Sequence, residues 1–214
     1  MTRRQALGIG IGAGAALALT SAGPAQAAAA SGQHAWKQPR SANGWPVLDH
    51  TTTYRVEGTG VEVSLAPGDA ATVLLHVARR FAYEIDMLRT GDLHGHATDR
   101  MIGAPFESNH LSGTALAVRP LHYPLGADIK DTGMGEAERV VIADILADCE
   151  GLVTWGGDLK PVKQSHFHID VQPGDARLKR LATRIRGWND TPGEGAGSID
   201  AFAPARRRTA ARFQ

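Results

Sequence analysis

Residues 166–171 alternate strictly between polar and apolar side chains, and no other stretch constrains the fold of this chain so tightly. Successive side chains of a β-strand point to opposite faces, so a period of two predicts a half-buried strand. The apolar members are Phe167, Ile169 and Val171, and the polar members are His166, His168 and Asp170. The fold must therefore contain a sheet with one face in the core and histidines on the other.

Three helices are predicted by their apolar periodicity and their end signals. The first runs from an Asp69 cap to Gly91, with apolar residues at intervals of three and four from Leu74 to Leu88. The second covers about 135–150, and the third follows a cap at Asp175. Their apolar stripes are the expected helical contribution to the core.

Shorter segments read as strands. A hairpin is predicted from 54–57 and 61–65 around a Gly-Thr-Gly turn, and further strands from 115–119 and 151–155. On the strand at 115–119, Leu116 and Val118 share one face, whereas Ala115, Ala117 and Arg119 share the other. Helices and strands do not alternate regularly, so we expect an α+β fold with a small antiparallel sheet and flanking helices.

Residues 1–27 are predicted to be a signal peptide of the twin-arginine type. Arg3 and Arg4 precede a short Gly- and Ala-rich apolar run, and Ala-Gln-Ala at 25–27 forms a cleavage site. An N-terminal membrane anchor is the alternative. We expect an exported protein, secreted or associated with the cell wall, without a stable membrane span after cleavage.

The remaining sequence predicts one domain between two loose ends. Residues 28–50 are expected to form a flexible lead-in that Trp36 and Trp45 pin locally, and the domain spans 51–188. Residues 189–214 are rich in Gly, Pro, Ala and Arg and predict a disordered tail that folding does not need.

Composition excludes some functions. Lys and Arg number 23 against 22 Asp and Glu, and aromatic residues are 6%, which argues against a nucleic-acid partner. Cys149 is the single cysteine, so the chain has no intrachain disulfide. We expect a monomer.

His166 and His168 lie two residues apart on one predicted strand face and can approach one metal ion. A third ligand from another strand would complete a catalytic zinc site with a position left open for water. Zinc lowers the pKa of that water to about 7, which makes hydroxide available for attack on a carbonyl. The alternative is two ordinary polar residues on a wet strand face.

Two motifs resemble the Hedgehog/D-Ala-D-Ala-peptidase-type zinc metallopeptidases. Residues 108–115, S-N-H-L-S-G-T-A, are similar to the family motif S-x-H-x-x-G-x-A-x-D. Residues 155–158, W-G-G-D, followed by His166 and Phe167, resemble the W-G-G-D/N and H-F segments of its carboxypeptidases and endolysin peptidases. The similarity covers roughly residues 70–171.

The resemblance implies an α+β domain, a zinc ion, and cleavage of peptidoglycan stem peptides. His110 and His166 match two zinc ligands, but Ala117 stands at the position of the aspartate ligand. Lys163 stands where the family carries its general base. In an alternative register His168 is the ligand, and Ser165 then takes the base position. The resemblance also assigns substrate binding to two residues, Arg100 and Ser108.

Three functions remain open at this point, and whether the protein is an enzyme is one of the open questions. The first is a degenerate member that binds stem peptides with weak or no hydrolysis. The second is an active zinc carboxypeptidase or endopeptidase rebuilt around three histidines, His110, His166 and His168. Its base would be Asp170, Glu107 or Asp158. The third is a metal-free structural or partner-binding domain.

Overall fold

A computed structural model describes residues 32–127 and 133–213. The predicted signal peptide, 1–27, lies outside the described residues. Within the described residues the α+β prediction is confirmed, with four helices and small antiparallel sheets. The strands are β1 His34–Ala35, β2 Thr52–Arg55, β3 Glu62–Leu65, β4 Leu93–His94, β5 Met101–Ile102, β6 Ala115–Val118, β7 Val153–Trp155 and β8 His166–Ile169. The helices are α1 Asp69–Glu84, α2 Glu136–Asp148, α3 Ala176–Asp190 and α4 Pro204–Ala210.

The central sheet has four antiparallel strands in the order β4-β6-β8-β7. Its apolar face, with Leu116, Phe167 and Ile169, is completely buried in the main core, to which α1, α2 and α3 contribute. The strands β2 and β3 form the predicted hairpin. Outside this sheet, β1 pairs with β5, and Arg40 forms an isolated antiparallel bridge with Pro46.

Helix ends follow the predictions in part. Asp175 caps α3 as predicted, because its carboxylate accepts a hydrogen bond from the Arg177 backbone N–H at 2.8 Å. Asp69 is instead the first residue of α1, after Gly68, and makes no cap hydrogen bond. The helix α1 also stops at Glu84, well before Gly91, and the backbone N–H groups of Ile85 and Asp86 both bond to the Phe81 carbonyl.

The prediction that β8 is only half-buried is wrong, and so is the alternative of a wet histidine face. All four residues of β8 are buried. A 3₁₀-helix, Pro105–His110, contributes the cover over this face, and its Phe106 ring lies 4.8 Å from the His166 ring, centroid to centroid. The alternation therefore identified the two faces correctly but not their exposure, because it carries no information about which loop folds over the polar side.

The segment predicted to be a flexible lead-in is hydrogen-bonded to the domain where it is described. Asn43 donates through Nδ2 to Thr114 Oγ1 and to the Ile169 carbonyl, both at 2.8 Å. Ser41 Oγ lies 2.9 Å from Ser112 Oγ, and Trp45 Nε1 donates to the Val171 carbonyl at 2.7 Å. The lead-in thus fills a polar gap beside the 108–114 motif, which its composition does not reveal.

The predicted disordered tail contains α4, which packs on α2. Arg206 bonds to Asp144 and to Asp148, each with a contact of 2.8 Å. The same two carboxylates bind the fully buried Arg80, which also pairs with Glu84. The difference from the prediction has a physical reason: one internal arginine cannot balance three carboxylates, and Arg206 supplies the second cation. No helix of the described part of the chain is both long and apolar enough to span a membrane.

Candidate functional site: a histidine row beside an open cleft

The register of the central sheet brings the predicted histidines together. Ala117 on β6 faces His166 on β8, and Ala115 faces His168. Residues opposite each other on antiparallel strands share a face, so His166 and His168 lie on the same face of the sheet as Ala117 and Ala115. His110 approaches from the end of the 3₁₀-helix, and its Nε2 lies 3.2 Å from His166 Nδ1. On the other side of the His166 ring, Nε2 lies 3.1 Å from His168 Nδ1.

The hydrogen bonds of the row specify its tautomers. His110 Nδ1 lies 2.7 Å from the Gly95 carbonyl oxygen, which can only accept, so this nitrogen carries a proton. The neutral His110 Nε2 then accepts from His166 Nδ1–H, and His166 Nε2 accepts from His168 Nδ1–H. His168 Nε2 finally lies 3.7 Å from the Asp170 carboxylate.

Burial keeps the inner histidines neutral. It is the main cause that lowers the pKa of His110 to about 4, and the Lys163 charge lowers it further. Burial also places the pKa of His166 well below its ordinary value, with smaller contributions from the neighbouring histidines and Lys163. At neutral pH both imidazoles are therefore uncharged.

His110 lies at the wall of a cleft of about 500 Å³. Lys163 and Glu107 line the same cleft and form an ion pair, Nζ to Oε1, at 2.5 Å. Both side chains are largely buried, with exposed fractions of 14% and 15%. Burial raises the pKa of Glu107, but the charge and hydrogen bonds of Lys163 and Gly103 outweigh it, so the net shift is downward.

The donor set does not fit the three-ligand zinc site that the resemblance implies. Nitrogens bound to one tetrahedral zinc at 2.0–2.1 Å are about 3.3 Å apart, so His110 Nε2 and His166 Nδ1 are spaced like two ligands. The Ala117 methyl group offers no third, and His168 contacts the far nitrogen of His166. Within residues 32–127 and 133–213, no three His, Cys, Asp or Glu side chains are grouped to hold a metal ion.

The three carboxylates considered as bases are dispersed. The Glu107 carboxylate forms an ion pair with the Lys163 ammonium. Asp158 lines a separate cavity with Trp155, and burial raises its pKa. Asp170 lies beyond His168, 3.7 Å from its Nε2, and the interaction with this histidine is the largest cause that lowers the pKa of the Asp170 carboxyl. Of the three, Glu107 alone lines the cleft with His110.

Neither of the two predicted substrate-binding residues lines the cleft. The Arg100 guanidinium donates to the carbonyls of Trp36 and Gln38, at 3.2 and 3.3 Å. Ser108 is completely buried, and its hydroxyl donates to the Pro105 carbonyl and accepts from the Ala42 N–H. In the described structure both side chains hydrogen-bond to backbone carbonyls.

The W-G-G-D motif shapes the turn that carries Lys163 and His166. A Cβ on Gly156 would lie 2.2 Å from the Lys163 carbonyl oxygen, and one on Gly157 would lie 2.3 Å from the Trp155 ring. Trp155 Nε1 also donates to the Gln164 carbonyl at 2.7 Å. The two glycines therefore allow a close approach that no other residue permits.

His94 is a site residue that sequence reasoning did not select. It pairs with Ala117 from the other side of β6 and lines the cleft with His110. Its strand has only two residues, too few to show a period of two. The sequence does not predict the Lys163–Glu107 ion pair either, because 56 positions separate the two residues.

No protein-family model, curated protein sequence or solved structure matches this chain.

Proposed function

We propose that this protein binds peptidoglycan stem peptides in the cleft beside His110 and hydrolyses them weakly or not at all. The observation that carries the proposal is the pairing of Ala117 with His166. At the position where the zinc peptidases that the motifs resemble carry a carboxylate ligand, this chain has a methyl group. Binding without turnover is the activity that such a cleft retains.

The state of Lys163 supports the same proposal. A general base must be able to accept a proton from the attacking water, and a lysine paired with Glu107 at 2.5 Å cannot do so. Loss of a correctly placed base typically lowers the rate 10²–10⁴-fold. The missing ligand and the missing base therefore act in the same direction.

The test compares binding with turnover in one preparation of residues 28–214. Calorimetry with Nα-acetyl-Lys-D-Ala-D-Ala should show saturable binding, while mass spectrometry finds no released D-alanine over hours with added Zn²⁺. Ready turnover that His168→Ala abolishes would favour the three-histidine enzyme instead. Absence of binding would leave the structural or partner-binding domain.

We also propose export by the twin-arginine route, on the strength of Arg3 and Arg4. Changing both to lysine should leave the uncleaved precursor in the cytoplasm, detected by immunoblotting of cell fractions. Unchanged secretion of this variant would refute the route.

A further inference from the structure

We propose, building on the peptide-binding function above, that the Lys163 ammonium takes the place of a metal ion as the cation that binds the ligand. Its partner would be the free carboxylate at the end of the peptide. The ligand would also carry an ammonium group, because the cleft has carboxylates to receive one.

The position of Lys163 is the first argument. It lines the cleft together with His110 and Ala117, the residues at which the resemblance would place a metal. Its side chain is 14% exposed, so its head group is held in a defined place rather than in bulk water. Its positive charge also acts on both His110 and His166.

The second argument is the scarcity of other cations. Among the described residues that line the cleft, Lys163 is the only lysine or arginine. Arg100, which the resemblance assigned to the substrate carboxylate, instead donates to the carbonyls of Trp36 and Gln38. An anionic group entering the cleft therefore finds its strongest partner in Lys163.

The third argument is the charge around this cation. Glu62, Asp99 and Glu107 also line the cleft, so its lining carries three carboxylates and one ammonium. A simple anion would be repelled by this excess, whereas a peptide with both a terminal carboxylate and a basic side chain complements it. Glu107 holds Lys163 until the ligand carboxylate competes for it.

The experiment is calorimetry in EDTA, which removes metal ions as an alternative partner. The probes are Nα-acetyl-Lys-D-Ala-D-Ala, its C-terminal amide and its Nε-acetylated form. The wild type should bind the acid about tenfold tighter than the amide, as expected for one charge-assisted hydrogen bond. Acetylation of Nε should weaken binding as well.

Variants identify the residue responsible. Lys163→Met should abolish the preference for the acid over the amide. The double variant Glu107→Gln with Lys163→Met should do the same, and it leaves no unpaired buried charge that could disturb the fold. Glu107→Gln alone should strengthen binding of the acid, whereas a merely structural ion pair would predict weaker binding. Arg100→Ala is the matched control and should keep the preference.

The outcomes separate this inference from the proposed function. Equal affinity for acid and amide, or a preference that survives Lys163→Met, overturns the role of Lys163 and leaves stem-peptide binding intact. A fourth probe, Nα-acetyl-Lys-L-Ala-L-Ala with its own C-terminal amide, tests the stereochemistry of the ligand. An equally strong preference for the acid with this L-peptide supports the role of Lys163 and contradicts the stem-peptide function. Binding of none of the probes overturns both.

Discussion

Ala117 and His166 face each other across adjacent antiparallel strands, and both are buried on the side of the sheet next to the cleft. His166 Nδ1 meets His110 Nε2 at 3.2 Å, so two nitrogens are already spaced like ligands of one metal ion. The β6 side chain that faces His166 is the methyl group of Ala117, which offers no third ligand.

That relationship predicts a repair. Ala117→Asp together with Lys163→Asp should create a third ligand and remove the competing cation. After dialysis the variant should retain about one equivalent of zinc by elemental analysis. It should also release D-alanine from Nα-acetyl-Lys-D-Ala-D-Ala, because a carboxylate can now accept a proton from the metal-bound water.

Ala117→Asn with Lys163→Asp is the control for this repair, since an amide of the same shape lacks the negative charge. It should hold zinc less tightly than the aspartate variant. Zinc should also raise the melting temperature of the aspartate variant, because the new buried carboxylate is otherwise unpaired. If the two variants bind zinc equally, the assignment of position 117 as a ligand position is refuted.

The docking of α4 predicts that Arg206 stabilises the fold. Arg206→Met should lower the free energy of unfolding by about 1–3 kcal/mol, because Asp144 and Asp148 would share only Arg80. Arg206 is 32% exposed, and solvent screening keeps the loss below that of a fully buried pair. Arg208→Met in the same helix, at an exposed position, is the control and should change urea unfolding little.

The contribution of Arg206 should depend on pH with a definite sign. Burial raises the pKa of Asp148, but His76, Arg80 and Arg206 outweigh it and lower the pKa. A lowered carboxyl pKa stabilises the fold above the ordinary carboxyl range and ceases to do so as the pH falls through it. The stability difference between wild type and Arg206→Met should therefore shrink below about pH 4. A difference that stays constant with pH would contradict the ion-pair explanation.

The contacts of the lead-in predict that Asn43 is structural. Asn43→Ala should cost about 1–3 kcal/mol, because the Ile169 carbonyl and Thr114 hydroxyl lose a partner in the interior. Gln38→Ala, at an exposed position nearby, is the comparison and should be near neutral in the same denaturation assay. Limited proteolysis should also cleave the segment around 38–48 faster in the Asn43→Ala variant than in the wild type.

The neutral histidine row predicts loss of stability in mild acid. The pKa of His110 is about 4 in the folded protein, against about 6.5 in an unfolded chain. Both states are neutral above about pH 6.5, but below it the unfolded chain binds more protons, so stability falls toward pH 4. His166 shifts in the same direction.

Urea unfolding at pH 7.5 and pH 5 measures this effect. His166→Phe, which removes one of the buried imidazoles, should reduce the stability lost between the two pH values by on the order of 1 kcal/mol. A variant that loses as much stability as the wild type would show that other groups determine the acid sensitivity.

The sequence predicted those elements whose side chains repeat regularly. The stripe that includes Leu74 and Phe81 gave α1, and the alternation from His166 to Ile169 gave β8 with its two faces. Relations between distant segments could not be read in this way. Three contacts join segments that lie far apart in the sequence. Phe106 covers His166, Lys163 pairs with Glu107, and α4 docks on α2.

The candidate site, too, could be predicted only in part from the sequence. Sequence motifs selected three histidines that the fold does bring together, but they could not reveal that His168 contacts the far nitrogen of His166. Nor could they show that Arg100 is held by the carbonyls of Trp36 and Gln38. Zinc binding and the peptide ligand remain predictions that only the experiments above address.

The hydrogen bonds from Asn43 and Trp45 to the carbonyls of Ile169 and Val171 each join residues 126 positions apart. Closing so long a loop costs entropy before any contact compensates for it. A nascent chain that has not yet been synthesised as far as Ile169 lacks both acceptors. The N-terminal segment can therefore take its final place only after β8 is made.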